Sequence, residues 1–237
     1  MSLNYALIAH ANAFLFAGEP MPGWSDLPGT SNISEYDMGL FWNRSVTFAT
    51  PQAWAEWLQV RQVTKVQLFL ESDRQPLSGG KFGILTEGVS HRMLWSPALE
   101  SSDGQRGPAS RYVCRGEDFD PRERGMDEAE SEFRRAFHEL VAFLEMKGIG
   151  EWADHFRRGL TLLEQEYSPT PEVEEVFPRV GYEDRARRLY QVMSASSGMS
   201  DRMDFWDEVH LDSPQDFSLA CEHARWMCIL AALSSYP

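Results

Sequence analysis

The order of hydrophobic periodicities along this chain predicts an α+β fold, with a small mixed or antiparallel sheet and flanking helices followed by a C-terminal helical bundle. Three observations carry that prediction. Apolar residues recur at every second position in Leu40, Trp42, Val46 and Phe48 and again in Val66, Leu68 and Leu70, the period of half-buried strands. From Asp120 the spacing changes to three and four, with Phe133, Phe137, Leu140, Val141 and Leu144 forming one helical stripe. The chain is also long enough, at 237 residues of which 43% are hydrophobic, to bury a large core. The change of period divides it into an α+β region, 1–118, and a helical region, 119–237. These stand either as two domains or as one body in which the helices cover the sheet.

The elements follow in order. Residues 3–16 read as an opening helix, with Leu3, Leu7, Ala11, Phe14 and Leu15 on one face. Gly18–Tyr36 is rich in Pro, Gly, Ser and Asn and reads as a long irregular segment. A strand is expected over Met38–Ala49. Thr50-Pro51 then supplies an N-cap and first-turn proline for a short helix through Trp54, Trp57 and Leu58. Lys65–Glu71 reads as a strand, and Lys81–Thr86 and Val89–Trp95 as a hairpin about a tight Glu87-Gly88 turn. Ser101–Ser110 reads as a loop and Arg111–Cys114 as a last short strand.

In the helical region, Asp120-Pro121-Arg122-Glu123 has the spacing of a capping box, and Lys147-Gly148 closes the helix it opens. Trp152, Phe156, Leu160 and Leu163 mark a second helix, Thr170-Pro171 a short one, and Ala186, Leu189, Tyr190 and Met193 another. Ser213-Pro214-Gln215-Asp216 caps the final helix, whose face runs Phe217, Ala220, Cys221, Ala224, Met227, Cys228 and Ala231.

Charge is unevenly shared. The net −14 comprises −4 over residues 1–120 (9 Lys/Arg against 13 Asp/Glu) and −10 over residues 121–237 (13 against 23). Such a surface repels phosphate backbones and anionic lipid, so nucleic acid and membrane are not expected partners; a basic protein is. The N-terminus carries no basic stretch ahead of its apolar residues, and no run of about 18 apolar residues occurs, which predicts neither signal peptide nor transmembrane helix. Cys114, Cys221 and Cys228 form no CxxC. Cys221 and Cys228 stand two helical turns apart, about 10 Å, too far for a disulfide, and read as small core residues of a reduced, cytoplasmic protein.

Catalytic chemistry finds little support in the motifs. The six histidines form no HExxH and none lies four from another; His138 and His155 read as polar flanks of their helices. Ser78-Gly79-Gly80-Lys81 precedes a strand, whereas a phosphate-cradling loop follows a strand and opens a helix. The acidic-aromatic run Asp201, Asp204, Phe205, Trp206, Asp207, Glu208, His210 and Asp212 lacks the ordered spacing of a calcium loop. It is expected to hold no metal and perform no chemistry, and no cofactor is expected elsewhere. Four tryptophans before residue 60 (Trp24, Trp42, Trp54 and Trp57) are core candidates, with a ligand pocket as the alternative.

One segment resembles something known. A helix ending in Arg188-Leu189-Tyr190, then Gly198-Met199-Ser200-Asp201, Val209-His210-Leu211 and a capped closing helix resembles an uncharacterised family of bacterial immunity-like proteins associated with polymorphic toxins. The likeness spans residues 186–232, and the second glycine of the family's Gly-Met-Gly-Ser-type loop is absent here. It implies a non-enzymatic binding role with Gly198, Met199, Ser200 and Asp201 as the matching loop. Together these readings predict a bacterial interaction protein that meets a protein partner through Gly198, Met199, Ser200, Asp201, Asp204, Trp206 and Asp207. The alternative is a small-molecule binder or enzyme that uses the N-terminal aromatic region.

Overall fold

A computed structural model describes residues 5–27, 30–39, 42–70, 82–89, 92–99, 110–115, 125–196 and 214–236. The fold is α+β. In chain order the elements are α1 (Tyr5–Ala17), β1 (Thr30–Gly39), β2 (Trp42–Phe48), α2 (Pro51–Val60), β3 (Val63–Leu70), β4 (Phe82–Gly88), β5 (Arg92–Leu99), β6 (Ser110–Arg115), α3 (Met126–Met146), α4 (Gly150–Glu164), α5 (Pro171–Glu174), α6 (Asp184–Ala195) and α7 (Pro214–Ser234).

The six strands form one sheet in the order β2-β1-β6-β5-β4-β3, antiparallel throughout except where β1 meets β6. Strand β1 corrects the reading of Gly18–Tyr36 as irregular. Its turn-forming composition is overridden by pairing on both sides, with β2 in register Ile33↔Phe48 and with β6 in register Ile33↔Tyr112. The β4–β5 turn also moves: Glu87 is a strand residue opposite Arg92 and joined to it by an ion pair of 2.7 Å, so the turn lies beyond Gly88. Helix α2 starts as its sequence predicts, with Thr50 Oγ1 accepting the Ala53 N–H at 3.1 Å and Pro51 in the first turn.

The two faces of the sheet differ. Val66, Leu68, Ile84, Met93 and Trp95 join the main core under α1, α2 and α7. The alternate residues Phe69, Leu85 and Leu94 form a separate small cluster on the other face, beside the buried Gln67.

Helix α1 is buried nearly all round, because it lies between the sheet and the helical region. Leu7, Ile8, Ala9 and Ala11 belong to the same core cluster as residues of β3 and of α7. At its centre Asn12, 1% exposed, pairs its side-chain amide with the Val66 peptide of edge strand β3. The Val66 N–H donates to Asn12 Oδ1 at 3.0 Å and Asn12 Nδ2 donates to the Val66 carbonyl at 2.8 Å. The same amide donates to the Tyr182 hydroxyl at 3.1 Å, and that hydroxyl donates to the Leu233 carbonyl of α7 at 3.3 Å.

The helical region is organised by α3, whose Phe133 and Phe137 rings stack at 4.0 Å and meet Phe156 of α4. Its end is a Schellman motif: the Ile149 N–H reaches the Leu144 carbonyl at 2.9 Å and the Gly148 N–H that of Glu145 at 3.0 Å, with Gly148 at φ +77°. Gly181, at φ +96°, lies under the Tyr236 ring so closely that any Cβ would overlap it. Helix α7 changes character along its length. Met227–Leu233 is buried on every side between sheet and bundle, whereas Ala220 is exposed, a correction to its place on the predicted core face.

Of the residues predicted to be buried together, Phe133, Phe137, Leu140, Leu144, Phe156, Leu163, Leu189, Cys221, Ala224 and Cys228 share the core, and Trp152 packs partly buried against it. The side chain of Phe217 and the Asp120–Glu123 start lie outside the described residues; helix α3 as described begins at Met126 after an extended Gly125.

Two substitutions measure this arrangement. Asn12→Leu removes both partners of the Val66 peptide and should cost about 2–4 kcal/mol in urea unfolding, each orphaned buried group costing about 1–3. A loss below about 1 kcal/mol would show that water or a backbone shift replaces the amide. Phe137→Ala should cost about 3–5 kcal/mol in the same assay, the range for a large ring deleted from a close-packed core.

Candidate functional site: the groove between α3 and α7

Helices α3 and α7 run antiparallel with small residues at their seam. The Cys221 thiol donates to the Ala136 carbonyl at 3.6 Å and the Cys228 thiol to the Ala129 carbonyl at 3.8 Å, seven residues apart on both helices. Heptad spacing of small residues lets two helices approach closely along one line. All three cysteines are buried and none forms a disulfide, as the spacing implies for Cys221 and Cys228. Burial pushes the Cys221 thiol up to about 12, with Glu222 and Glu139 adding to the rise and Arg225 opposing it; burial raises Cys228 as well. Neither thiol is a nucleophile near neutral pH.

On the solvent side of this seam lies a groove of about 540 Å³, lined by Glu132, Arg135, Ala136 and Glu139 of α3 and by Ala220 and His223 of α7. That volume falls within the range of ligand sites, about 300–1,000 Å³. His223 Nε2 lies 3.2 Å from Glu132 Oε1 and ties the helices across one end. Arg135 leans to the same carboxylate at 3.9 Å. Glu139, two turns further along α3, is exposed and has no ion-pair partner among the described residues. One carboxylate of the groove, Glu132, therefore has two contacts and the other, Glu139, has no ion-pair partner among the described residues, with Ala136 and Ala220 between them.

Adjacent to the groove, α6 ends against α7. Buried Arg225 holds Glu222 at 2.5 Å and donates from Nε to the Met193 carbonyl at 3.3 Å, satisfying a carbonyl of the last turn. Ser196 Oγ donates to the Val192 carbonyl at 2.7 Å. The chain thus leaves α6 at a fixed point and re-enters at Pro214, two turns before Ala220.

Gly198, Met199, Ser200, Asp201, Asp204, Trp206 and Asp207, the residues the sequence nominates for partner binding, lie outside the described residues. So do Glu208, His210 and Asp212 of the acidic cluster. Among the described residues no group of three or more His, Cys, Asp or Glu gathers as a metal site, and no helix is long and apolar enough to cross a membrane. His138 is exposed, and His155 is half-buried against the Trp152 and Phe156 rings.

Of the N-terminal indoles, Trp54 is core, and Trp24 and Trp57 pack partly buried against it. Trp54 and Trp95 are fully buried and meet edge to face at 5.7 Å, and Trp57 meets Trp95 at 5.6 Å. Trp95 Nε1 donates to Thr86 Oγ1 at 3.1 Å, whereas Trp54 Nε1 has no acceptor among the described residues. Leaving that N–H unpaired costs about 1–3 kcal/mol, less than the gain from burying an indole of about 200 Å². The side chain of Trp42 lies outside the described residues.

The groove residues themselves are not singled out by the sequence. Glu132 and Glu139 stand seven apart, but acids at that spacing decorate many solvated helix faces, and Ala220 reads there as core. Comparison with protein-family models, with curated proteins and with solved structures finds no match to this chain.

The thiols at the seam generate a pH prediction. Burial raises Cys221, Cys228, Tyr182 and Tyr190, the last to about 12, so the folded state holds these protons more tightly than the unfolded chain. Their contribution is complete below the unfolded values, 9.0 for Cys and 10.0 for Tyr, and is lost as pH rises towards the folded ones. Unfolding stability should fall above about pH 9, by up to about 1.4 kcal/mol per pH unit for each such group. Cys221→Ala should make the decline between about pH 9 and 12 shallower by one proton; an unchanged slope would contradict the assignment.

Proposed function

We propose that this chain is a non-enzymatic binding protein, of the immunity-like kind that residues 186–232 resemble, and that it meets a basic protein partner on the face formed by α3 and α7. The observation that carries this reading is the groove, a formed concavity in which Glu139 has no ion-pair partner among the described residues, on a region of net charge −10. Acidic complementarity of this kind speeds association and selects a basic partner. The raised Cys221 and Cys228 thiols add support, since neither supplies a nucleophile beside the groove. The placement of Trp54 and Trp95 in the core takes support from the small-molecule alternative. Gly198, Met199, Ser200, Asp201, Asp204, Trp206 and Asp207 stay in the proposal as partner contacts on the strength of the sequence alone. Bacterial origin and a cytoplasmic location belong to the same proposal.

The test is co-purification from the native cell at low and at moderate salt, with wild type and with the double variant Glu132→Gln/Glu139→Gln, its fold checked by circular dichroism. A basic protein should be retained at low salt and released as ionic strength rises, because rim charges are screened over a Debye length of about 8–10 Å. The double variant should retain about three- to tenfold less of it, the effect of two partly exposed pairs of about 0.2–1 kcal/mol each. Recovery of no partner at either salt concentration, or of an acidic one, would overturn the proposal.

A further inference from the structure

The end of α6 is pinned from two sides. On one side Ser196, fully buried, sits against Gly159 of α4, where a Cβ added to the glycine would meet Ser196 Cβ at 3.4 Å and Phe133 Cζ at 3.3 Å. On the other lies a charged pair of α7, Arg225 at 9% and Glu222 at 8% exposed. Arg225 Nη1 donates to Glu222 Oε1 at 2.5 Å and Nε to the Met193 carbonyl at 3.3 Å, while Nη2 lies 3.8 Å from the Met193 sulfur. Every nitrogen of one guanidinium is thereby directed at a fixed atom, and the planar fork admits few other arrangements.

Such a pair is a poor way to stabilise a fold. Taking both charges out of water costs about what their attraction returns, and an apolar pair of similar volume often serves stability as well or better. The Met193 carbonyl does not depend on the arginine either, since Ser196 Oγ also donates to it at 3.2 Å. What the pair supplies, and apolar side chains would not, is direction: Glu222 holds the guanidinium in one plane, and the guanidinium holds Met193 at one place on α7. We propose that the Arg225–Glu222 pair is a positional lock on the last turn of α6, which sets where the connection to α7 begins and adds little to global stability. That connection, residues 197–213, carries Gly198, Met199, Ser200 and Asp201. The lock rests on the proposed binding role for its purpose, as the fixed base from which those residues start, but not for its mechanics.

Amide hydrogen exchange and urea unfolding of the whole chain separate a lock from a stabilising ion pair. The double variant Glu222→Leu/Arg225→Met should keep or raise the urea midpoint. Exchange of its Ser196 amide, bonded to the Val192 carbonyl at 3.1 Å, should nevertheless speed up about tenfold as the last turn of α6 loosens. Arg225→Met alone should lower the midpoint clearly, because it leaves Glu222 buried and uncompensated. A basic partner retained by the wild type at low salt should be retained several-fold less by the double variant. A double variant as unstable as the single one, or one that does not fold, would make the pair a stabilising element and overturn the inference. So would unchanged exchange at Ser196, or equal retention of the partner by wild type and double variant. Recovery of no partner by the wild type overturns the wider proposal instead, and exchange with unfolding then decides the lock by themselves.

Discussion

The structure depends on one edge of its sheet being closed from inside the molecule. Strand β3 ends the sheet, and an end strand exposes a row of peptide groups that elsewhere would recruit another chain. Here Asn12, projecting from α1, offers a donor and an acceptor in the arrangement a neighbouring peptide would offer, and the Val66 peptide pairs with both. The pairing takes place where water is excluded, so both groups would be orphaned without it. It also fixes more than the edge. The same amide reaches Tyr182, whose hydroxyl holds the Leu233 carbonyl near the end of α7. One side-chain amide thereby sets α1, the sheet, the segment before α6 and the final helix in mutual register.

That register explains the dual nature of α7. Its second half is held against α1 and β3 and must be apolar on every side. Further back along the helix it packs against α3 and the end of α6, and Ala220 is left in water where the groove lies. The thiol-to-carbonyl contacts of Cys221 and Cys228 keep the seam below the groove narrow. A larger residue at either position would push α7 outward and tilt the half that is locked in the core. The shape of the groove is therefore set by small residues beneath it as much as by the charged ones that line it.

Long-period signals were legible and pair-dependent ones were not. The stripe Phe133, Phe137, Leu140 and Leu144 survives intact because a helix encodes its buried face within its own spacing. Helix α2 likewise announces itself through Thr50 and Pro51. Strand β1 did not: its residues carry turn-forming chemistry, and it becomes a strand by lying between β2, which follows it in sequence, and the distant β6. Asn12 illustrates the same limit. Within α1 it reads as a polar interruption, and its role exists only once β3 is placed beside it. The groove was illegible for a related reason, since Glu132, Glu139, Ala220 and His223 become one site only when α3 and α7 are antiparallel and in register.

The distribution of the cations gives the acidic face its direction. Arg134 bonds Glu164 across α3 and α4, and Arg157 bonds Asp154 and Glu145. Arg185 holds Asp127 and Glu130, with Arg188 also near Glu130. Arg187, almost wholly buried, donates to the carbonyls of Tyr182 and Pro178 and pairs with Glu174, tying the 174–182 segment to α6. Arg225 is engaged by Glu222 and the end of α6. These arginines join one helix to the next, and each removes a carboxylate from the pool that faces outward. Exposed pairs of this kind contribute little to stability, about 0–1 kcal/mol each, but they settle which acids stay unpaired. Because the joining arginines are spent on contacts within the bundle, the excess of negative charge is left on surfaces that no helix covers. The groove beside Glu139 is a concave one among those surfaces, and a concave acidic surface focuses field where a convex one disperses it into solvent.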